Sequence, residues 1–444
     1  MDTLSTNVEV RRNSVEPSLR CIPKSQPSDS KVSANGLGYP PTQTLDSSAP
    51  TTNGAAAKSS ESLPPLTARQ KRLARIQFIA LCWTLFVAGW NDGTTGPLLP
   101  RIQEVYGVNF AVVSLIFVFA CVGFISGAVS NMWLTERLGF GKTLVLGSCC
   151  QIIAYAIQCS APPFPAFVFA YVINGAGIAV QDAQANGFVA VLKHHAEAKM
   201  GVLHAAYGLG AFASPLVATQ FAQLPRWSFH YLVSLGVSVL NTIVLIGVFR
   251  FQNQDGESFV WNLREVVPEH ATVDEATFKQ VLRTRAVHLL AFFIFVYVGV
   301  EVTIGGWIVT FIIQERQGGP SSGYISSGFF GGLTVGRVIL LWVNKMVGER
   351  RVLFIYALLS IGLEFVVWFV PSLVGNAIAV SIVGVLLGPM YPIAMNQASR
   401  ILPRWILTGS IGWIAGFGQA GSAVLPFMTG AIAERHGIHS LQPL

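Results

Sequence analysis

Hydrophobic residues fall along this chain in eleven long runs, divided by short polar breaks, after an opening stretch that has no such run. The runs cover about residues 76–99, 110–134, 142–160, 164–190, 200–221 and 230–250, then 287–313, 321–343, 351–371, 374–396 and 406–432. A helix that crosses a bilayer needs ~20 mostly apolar residues, so each run reads as one transmembrane helix. Glycine and proline inside the runs do not argue against helix, because neighbouring helices and waters re-satisfy the backbone. The pattern predicts an all-α membrane protein with eleven transmembrane helices.

Composition strengthens that reading. Of 444 residues, 52% are hydrophobic and only 11% charged, and mean hydropathy is +0.53. A soluble chain of this length has no core large enough to hide so much apolar surface. Residues 1–72 are rich in Ser, Thr, Pro and Asn and hold no apolar run suited to a signal peptide. They are expected to form a disordered cytoplasmic tail, with too little apolar surface to offset the entropy of ordering. The six cysteines, Cys21, Cys82, Cys121, Cys149, Cys150 and Cys159, have neither disulfide-framework nor zinc spacing.

Charge sets orientation. A formal net charge of +7 would point to nucleic acid in a soluble protein. Here the basic residues sit in the breaks between spans, so they read as orientation signals and no nucleic-acid partner is expected. With the tail inside, that side receives Arg69, Lys71, Arg72, Arg75, Arg137, Lys142, Lys193, Lys199, Arg264, Lys279, Arg283, Arg285, Lys345, Arg350, Arg351, Arg400 and Arg404. The other side gets only Arg101, Arg226, Arg316 and Arg435. The N-terminus is therefore expected in the cytoplasm, and the plasma membrane is the expected location. A polar segment at 252–286, with a short amphipathic helix near 274–282, reads as a cytoplasmic linker between residues 73–251 and 287–444.

The two stretches flanking the linker repeat each other. At an offset of 209, Trp133, Gly139 and Lys142 recur as Trp342, Gly348 and Arg351, and Asp92 recurs as Glu301. At 208, Gly201, Gly208 and Gly210 recur as Gly409, Gly416 and Gly418. Such a repeat implies two similarly folded bundles, related by an axis along the membrane normal, with a central site between them. The sequence stops at Leu444, where a twelfth span is due, so bundles of six and five helices are expected, the twelfth missing.

The stretch GAVSNMWLTERLGFGKTLVLG (127–147) resembles the loop signature of the major facilitator superfamily. It departs from that pattern in carrying Glu136 for the usual Asp and Phe140–Gly141 for one basic residue. The resemblance covers about residues 75–444 and implies the major facilitator fold. It also implies a gating or structural role for Glu136, Arg137, Gly139 and Lys142, and for Gly348 and Arg351 in the second copy. Within the superfamily, GWNDGTTGPLLPRIQ (89–103) and QDAQANGFVAVL (181–192) resemble the fucose:proton symporter branch. There an Asn-Asp pair in the first span and an acid four residues before Asn in the fourth serve substrate and proton. Carried over, these are Asn91 and Asp92, then Asp182 and Asn186. The second half, with YVGVEVTIGGWIVTF (297–311) and LLGPMYPIAMN (386–396), is similar to fungal members of the same broad branch.

Ionisable side chains inside spans carry the remaining argument. An ionised carboxylate at the bilayer centre costs at least ~2.5 kcal/mol and so needs a partner, a cavity or a proton. Asp182 is read as a proton carrier, with a permanently paired structural acid as the bland reading. Asp92 and Glu301, at equivalent places in the repeat, are expected to face the central cavity and accept hydrogen bonds from a polar solute; Asp92 also joins the proton-coupling set. Gln181, Asn186, His204 and Asn396 are candidate solute contacts, and Tyr207 a weaker one. Trp307 would stack on a sugar face, although an aromatic in a membrane helix more often packs. Arg337 reads as an interhelical clamp on a carbonyl or acid, and Glu364 finds no partner by inspection of the sequence.

The glycine-rich runs suit close helix contacts rather than phosphate loops, since none follows a strand. His194 and His195 lack further ligands at metal spacing. The sequence holds no nucleophile–base set, metal motif or nucleotide-binding loop, so neither an enzyme nor a cofactor is expected, and no obligate protein partner. The expected function is proton-coupled transport of a small polar solute, a sugar or polyol, by alternating access. A proton-antiport exporter and a non-transporting sensor or defective truncated product are the rival readings.

Overall fold

Helix α1 (Ala68–Tyr106) starts where Thr67 and Gln70 cap each other reciprocally. The Thr67 N–H donates to Gln70 Oε1 at 2.8 Å, which satisfies backbone groups a helix end leaves orphaned. The computed structural model that shows this describes residues 67–190, 192, 196–249 and 275–441. Residues 1–66 of the expected tail, residues 191 and 193–195 with the two loop histidines, residues 250–274, which include the expected linker as far as 274, and residues 442–444 lie outside the described residues. The rest of the first bundle is α2 (Phe110–Val113), α3 (Leu115–Leu138), α4 (Phe140–Cys159), α5 (Phe164–Ala190), α6 (Ala196–Ala222) and α7 (His230–Phe249).

The amphipathic segment near 274–282 forms α8 (Glu275–Arg283). The second bundle follows as α9 (Arg285–Glu315), α10 (Tyr324–Val347), α11 (Glu349–Phe369), α12 (Leu373–Leu387), α13 (Met390–Ile401) and α14 (Arg404–His436). The run at 374–396 is not one continuous helix. It breaks at Gly388–Pro389, where proline has no N–H to continue the backbone ladder.

Among the described residues, ten helical segments are long and apolar enough to cross a membrane. The eleventh expected span, 406–432, forms α14, a helix of ample length whose many Gly, Ser and Thr residues dilute its apolar character. This is an integral, multi-pass, all-α membrane protein.

The bundles repeat residue for residue at one pair of close crossings. A Cβ on Gly123, Gly127 or Gly175 would meet the backbone of Val172, Ala176 or Ala120. A Cβ on Gly332, Gly336 or Gly384, each 209 residues later, would meet the backbone of Ser381, Val385 or Phe329, again 209 residues later. Helices α3 and α5 thus cross as α10 and α12 do, glycine letting two backbones touch. The turn glycines repeat too: Gly139 (φ 79°) and Gly348 (φ 91°) end α3 and α10 in a conformation that side chains with a Cβ rarely adopt.

The bundles share one apolar core at the end of the molecule that carries residues 98–117 and 307–329. There Leu98, Leu99, Ile102 and Phe117 join one cluster with Trp307, Phe311 and Phe329. At the opposite end, that of the Gly139 and Gly348 turns, the core divides. Leu81, Phe140, Phe188 and Leu245 belong to the first bundle's cluster, and Val287, Ile294, Ala398 and Ile414 to the second's. Bundles joined at one end and separately cored at the other leave a cavity between them.

Candidate functional site

The cavity is lined from both bundles. Asp92 lies in the middle of a 39-residue membrane helix and yet is exposed, which places it on that open space. Both of its oxygens are engaged by neutral donors: Tyr207 Oη donates to Oδ2 at 2.5 Å and Asn91 Nδ2 to Oδ1 at 3.1 Å. The Asn91 amide is held in turn, its Oδ1 accepting from Asn174 Nδ2 at 2.5 Å and from Tyr155 Oη at 3.1 Å. Two donors on one oxygen fix the amide so that its NH2 faces Asp92.

Asp182, half-buried on α5, accepts from Asn186 Nδ2 at 2.9 Å, one helical turn on. Asp92 is within electrostatic reach of both Asp182 and Glu301. Glu301 shares its surroundings with Tyr297 and with Arg337, whose Nε also reaches the Gly388 carbonyl at 3.4 Å. His204 and Tyr391 complete the set, the first near Arg337 and the second within electrostatic reach of Asp182 and Glu301. The first bundle therefore presents two carboxylates held by neutral donors, and the second a carboxylate beside a guanidinium.

Of the residues expected to bind solute, Asn91, Asp92, Asn186, His204 and Glu301 come together here, with Asp182 and Arg337. Three do not. Trp307 is fully buried, donates from Nε1 to the Pro426 carbonyl at 3.0 Å and packs beside Phe110 and Phe117. It belongs to the seal between bundles, where no sugar face can reach it. Gln181 is buried between α4 and α5 and donates to the Leu144 carbonyl at 3.2 Å. Asn396 donates to Glu349 Oε1 at 2.7 Å, tying α13 to the start of α11 outside the cavity. In the loop after α3, Arg137 lies over the Trp133 ring at 4.5 Å, and Lys142 stands one turn into α4.

Tyr155, Asn174, Tyr297 and Tyr391 were not among the sequence candidates. The one available signal was a polar group in an otherwise apolar run, and Asn174 gives it most clearly.

Several contacts close the far end. Gly96 abuts the Gly305 carbonyl and Gly430 abuts Phe110 and Ser114. The Phe110 N–H donates to Glu434 Oε2 at 3.0 Å, Gln223 Nε2 donates to the Pro320 carbonyl at 3.1 Å, and Gln220 bonds Tyr324. With this end sealed, the exposed Asp92 opens toward the end of the Gly139 and Gly348 turns.

Two helical repeats around a polar, acid-lined cavity, sealed at one end, define a membrane transporter of the two-bundle type. The chain belongs to the Major Facilitator Superfamily, whose sequence profile matches residues 81–426. It is 26% identical over 400 residues to Bypass of stop codon protein 6 of Saccharomyces cerevisiae, covering 84% of this chain and 80% of that one. It is 22% identical over 355 residues to the glucose/mannose transporter GlcP of Bacillus subtilis, covering 78% and 85%. Among solved structures, an outward-facing FucP transporter superposes with a TM-score of 0.57 at 17% identity, over 84% of this chain and 95% of that one. The inward-open xylose transporter XylE of E. coli superposes at 0.62 with 13% identity, over 84% and 93%. These superpositions concern the fold.

Proposed function

We propose that this chain is a proton-coupled secondary transporter of a small hydroxyl-rich solute, a sugar or polyol, working by alternating access. The observation that carries the reading is the pair Asp92 and Asp182, two membrane-embedded carboxylates held only by neutral donors on a water-accessible cavity. An acid without a cation beside it changes protonation state at the least cost, and intramembrane acids of this kind mark proton paths. Amide, hydroxyl and carboxylate groups on the same wall match the hydrogen-bonding pattern of a sugar. Relatives named as glucose/mannose and glucose/galactose transporters support that solute class.

In this reading the N-terminus is cytoplasmic, the Gly139 and Gly348 turns face the cytoplasm, and the structure is the inward-open state. Eleven helices span the plasma membrane, six before a linker at 252–286 and five after it, and residues 1–72 form a cytoplasmic tail. Loading of proton and solute neutralises Asp182 and lets the bundles rock, breaking the Glu434–Phe110 and Gln223–Pro320 contacts. Glu136, Arg137, Lys142 and Arg351 steady the cytoplasmic end. Asn91, Asp92, Asn186, His204 and Glu301 hold the solute, and Arg337 clamps the second bundle.

The test is solute-driven proton current in proteoliposomes across a panel of sugars and polyols. One sugar that drives current in the wild type and none in Asp182→Asn is the expected result. Current unchanged in Asp182→Asn removes that residue from proton coupling, and silence from folded protein across the panel removes the sugar.

A further inference from the structure

The Asn91 amide is gripped from two helices to which the transport reading gives no role. Tyr155 of α4 and Asn174 of α5 are each 1% exposed, and both donate to Asn91 Oδ1, at 3.1 and 2.5 Å. They reach the same atom because α4 and α5 cross closely one turn from Asn174, where a Cβ on Gly177 would meet the Gly147 carbonyl. The Tyr155 ring packs in turn against Tyr231 of α7, with centroids 6.4 Å apart. At the offset of 209 this frame is not repeated. Asn91, Asn174 and Gly177 become Val300, Val383 and Leu386, while Asp92 becomes Glu301. The second bundle therefore folds without such a frame, so the frame in the first bundle serves Asp92 rather than the fold.

An amide can face a carboxyl group in two ways. Its NH2 donates to a carboxylate, or its carbonyl accepts from a protonated acid. With two donors on Oδ1, Asn91 cannot turn that oxygen toward Asp92, and its Nδ2 stays on Asp92 Oδ1 at 3.1 Å. Asp92 Oδ1 is thereby kept as an acceptor, and a proton arriving from the cavity adds to Oδ2. There the partner is Tyr207, whose hydroxyl donates to the carboxylate and can rotate to accept from the protonated acid. Asp182 of α5 and Glu301 of α9 also face Asp92, with Arg337 of α10 near Tyr207 and Glu301. On α7, His230 stacks on Trp90, with ring centroids 5.9 Å apart.

We propose that Asn174 and Tyr155 are positioning residues for Asp92: by pinning the Asn91 amide they fix which carboxylate oxygen takes the proton and how readily it does so. The proposal rests on the reading of Asp92 as a proton-coupling group. A hydrogen bond donated to the charged form of an acid favours that form, and one accepted from the neutral form favours the neutral one. Freed of both donors, the Asn91 amide turns over and offers Oδ1 to the protonated acid, and Asp92 then keeps its proton to higher pH.

The probe is the proton alone, so no solute has to be known. Infrared difference spectra of the full chain in detergent are taken across pH, and the protonated carboxyl band that Asp92→Asn removes is assigned to Asp92. In Tyr155→Phe/Asn174→Leu the midpoint of that band is expected about one pH unit above the wild type's, or about tenfold in proton affinity. Each single variant, with one donor left, should move it about threefold and serves if the double variant fails to fold. A merely structural role for the pair lowers thermal stability and leaves the midpoint in place, and that result overturns the proposal while Asp92 remains a titrating group. A wild type with no Asp92 band down to the lowest pH at which it stays folded overturns the proton-coupling reading of Asp92, and the proposal with it.

Discussion

The third membrane helix of each bundle occupies the same place in the repeat, yet the two are dressed differently. Helix α4 is covered by α7 and joined to it by hydroxyls and an amide: Ser148 meets Thr242 at 2.6 Å, and Asn241 bonds Ser148 while accepting from Thr84 of α1 at 3.1 Å. Trp90 of α1 reaches Ser234 of α7 at 2.9 Å as well. Helix α11 packs on α12 through Val352, Tyr356, Ser360 and Val367, and its start is tied to α13 by Glu349, which accepts from Asn396 and Gln397.

The acids differ in the same sense. The first bundle holds Asp92 and Asp182 by neutral donors, whereas the second sets Glu301 near Arg337. One bundle is built around groups able to change charge, and the other carries a fixed charge environment. What the comparison teaches is that a repeat conserves backbone crossings while leaving polar chemistry free to diverge.

The sharpest way to break that comparison is to neutralise the repeat-related acids in turn. Asp92→Asn is expected to abolish gradient-driven uptake, because the cavity then loses a protonatable group. Glu301→Gln, its counterpart, is expected to lower uptake about tenfold through a lost charge-assisted hydrogen bond to solute. Equal loss in both would erase the distinction between the bundles, and uptake in proteoliposomes at fixed gradient decides it.

A smaller effect is expected of Tyr207→Phe, which removes the phenol from Asp92 and leaves the ring. Half-saturation for the solute, from initial rates, should rise several-fold to about tenfold. A value like the wild type's would mean that Asn91 alone holds the carboxylate.

The shared crossings give a matched pair. Gly123→Val and Gly332→Val each drive a side chain into a facing carbonyl, and each should cost about 1–3 kcal/mol. Thermal unfolding in detergent should rank them alike, and a large difference would show that only one crossing is tight. The smallest change is expected from Trp90→Phe. It removes a hydrogen bond to Ser234 between α1 and α7, a kind of link that averages about 0.6 kcal/mol in membrane proteins.

Much of this was legible in the sequence because bilayer burial acts on every residue of a span. Ten of the apolar runs became helical segments able to span the membrane, and the eleventh became α14. The repeat of Gly139 as Gly348 marked the positive-φ turns that end α3 and α10. The amphipathic stretch near 274–282 became α8 because one face of so short a helix must find a core, here through Val281. Asp92, Asp182 and Glu301 stood out because a carboxylate in hydrocarbon demands an explanation wherever it sits along a helix.

Only the tertiary structure decided which way the neutral polar side chains turn. Gln181 lies one residue from Asp182 and Trp307 six from Glu301, but one residue is about 100° of helix, so neighbours in sequence face different partners. Gln181 looks onto α4, Trp307 into the seal and Asn396 onto Glu349, while Tyr155 and Asn174 turn inward onto Asn91. The chain by itself determines which segments enter the membrane, since that depends on summed apolarity. Which polar groups meet across the cavity depends on helix rotation and crossing, and these are set by packing against other helices.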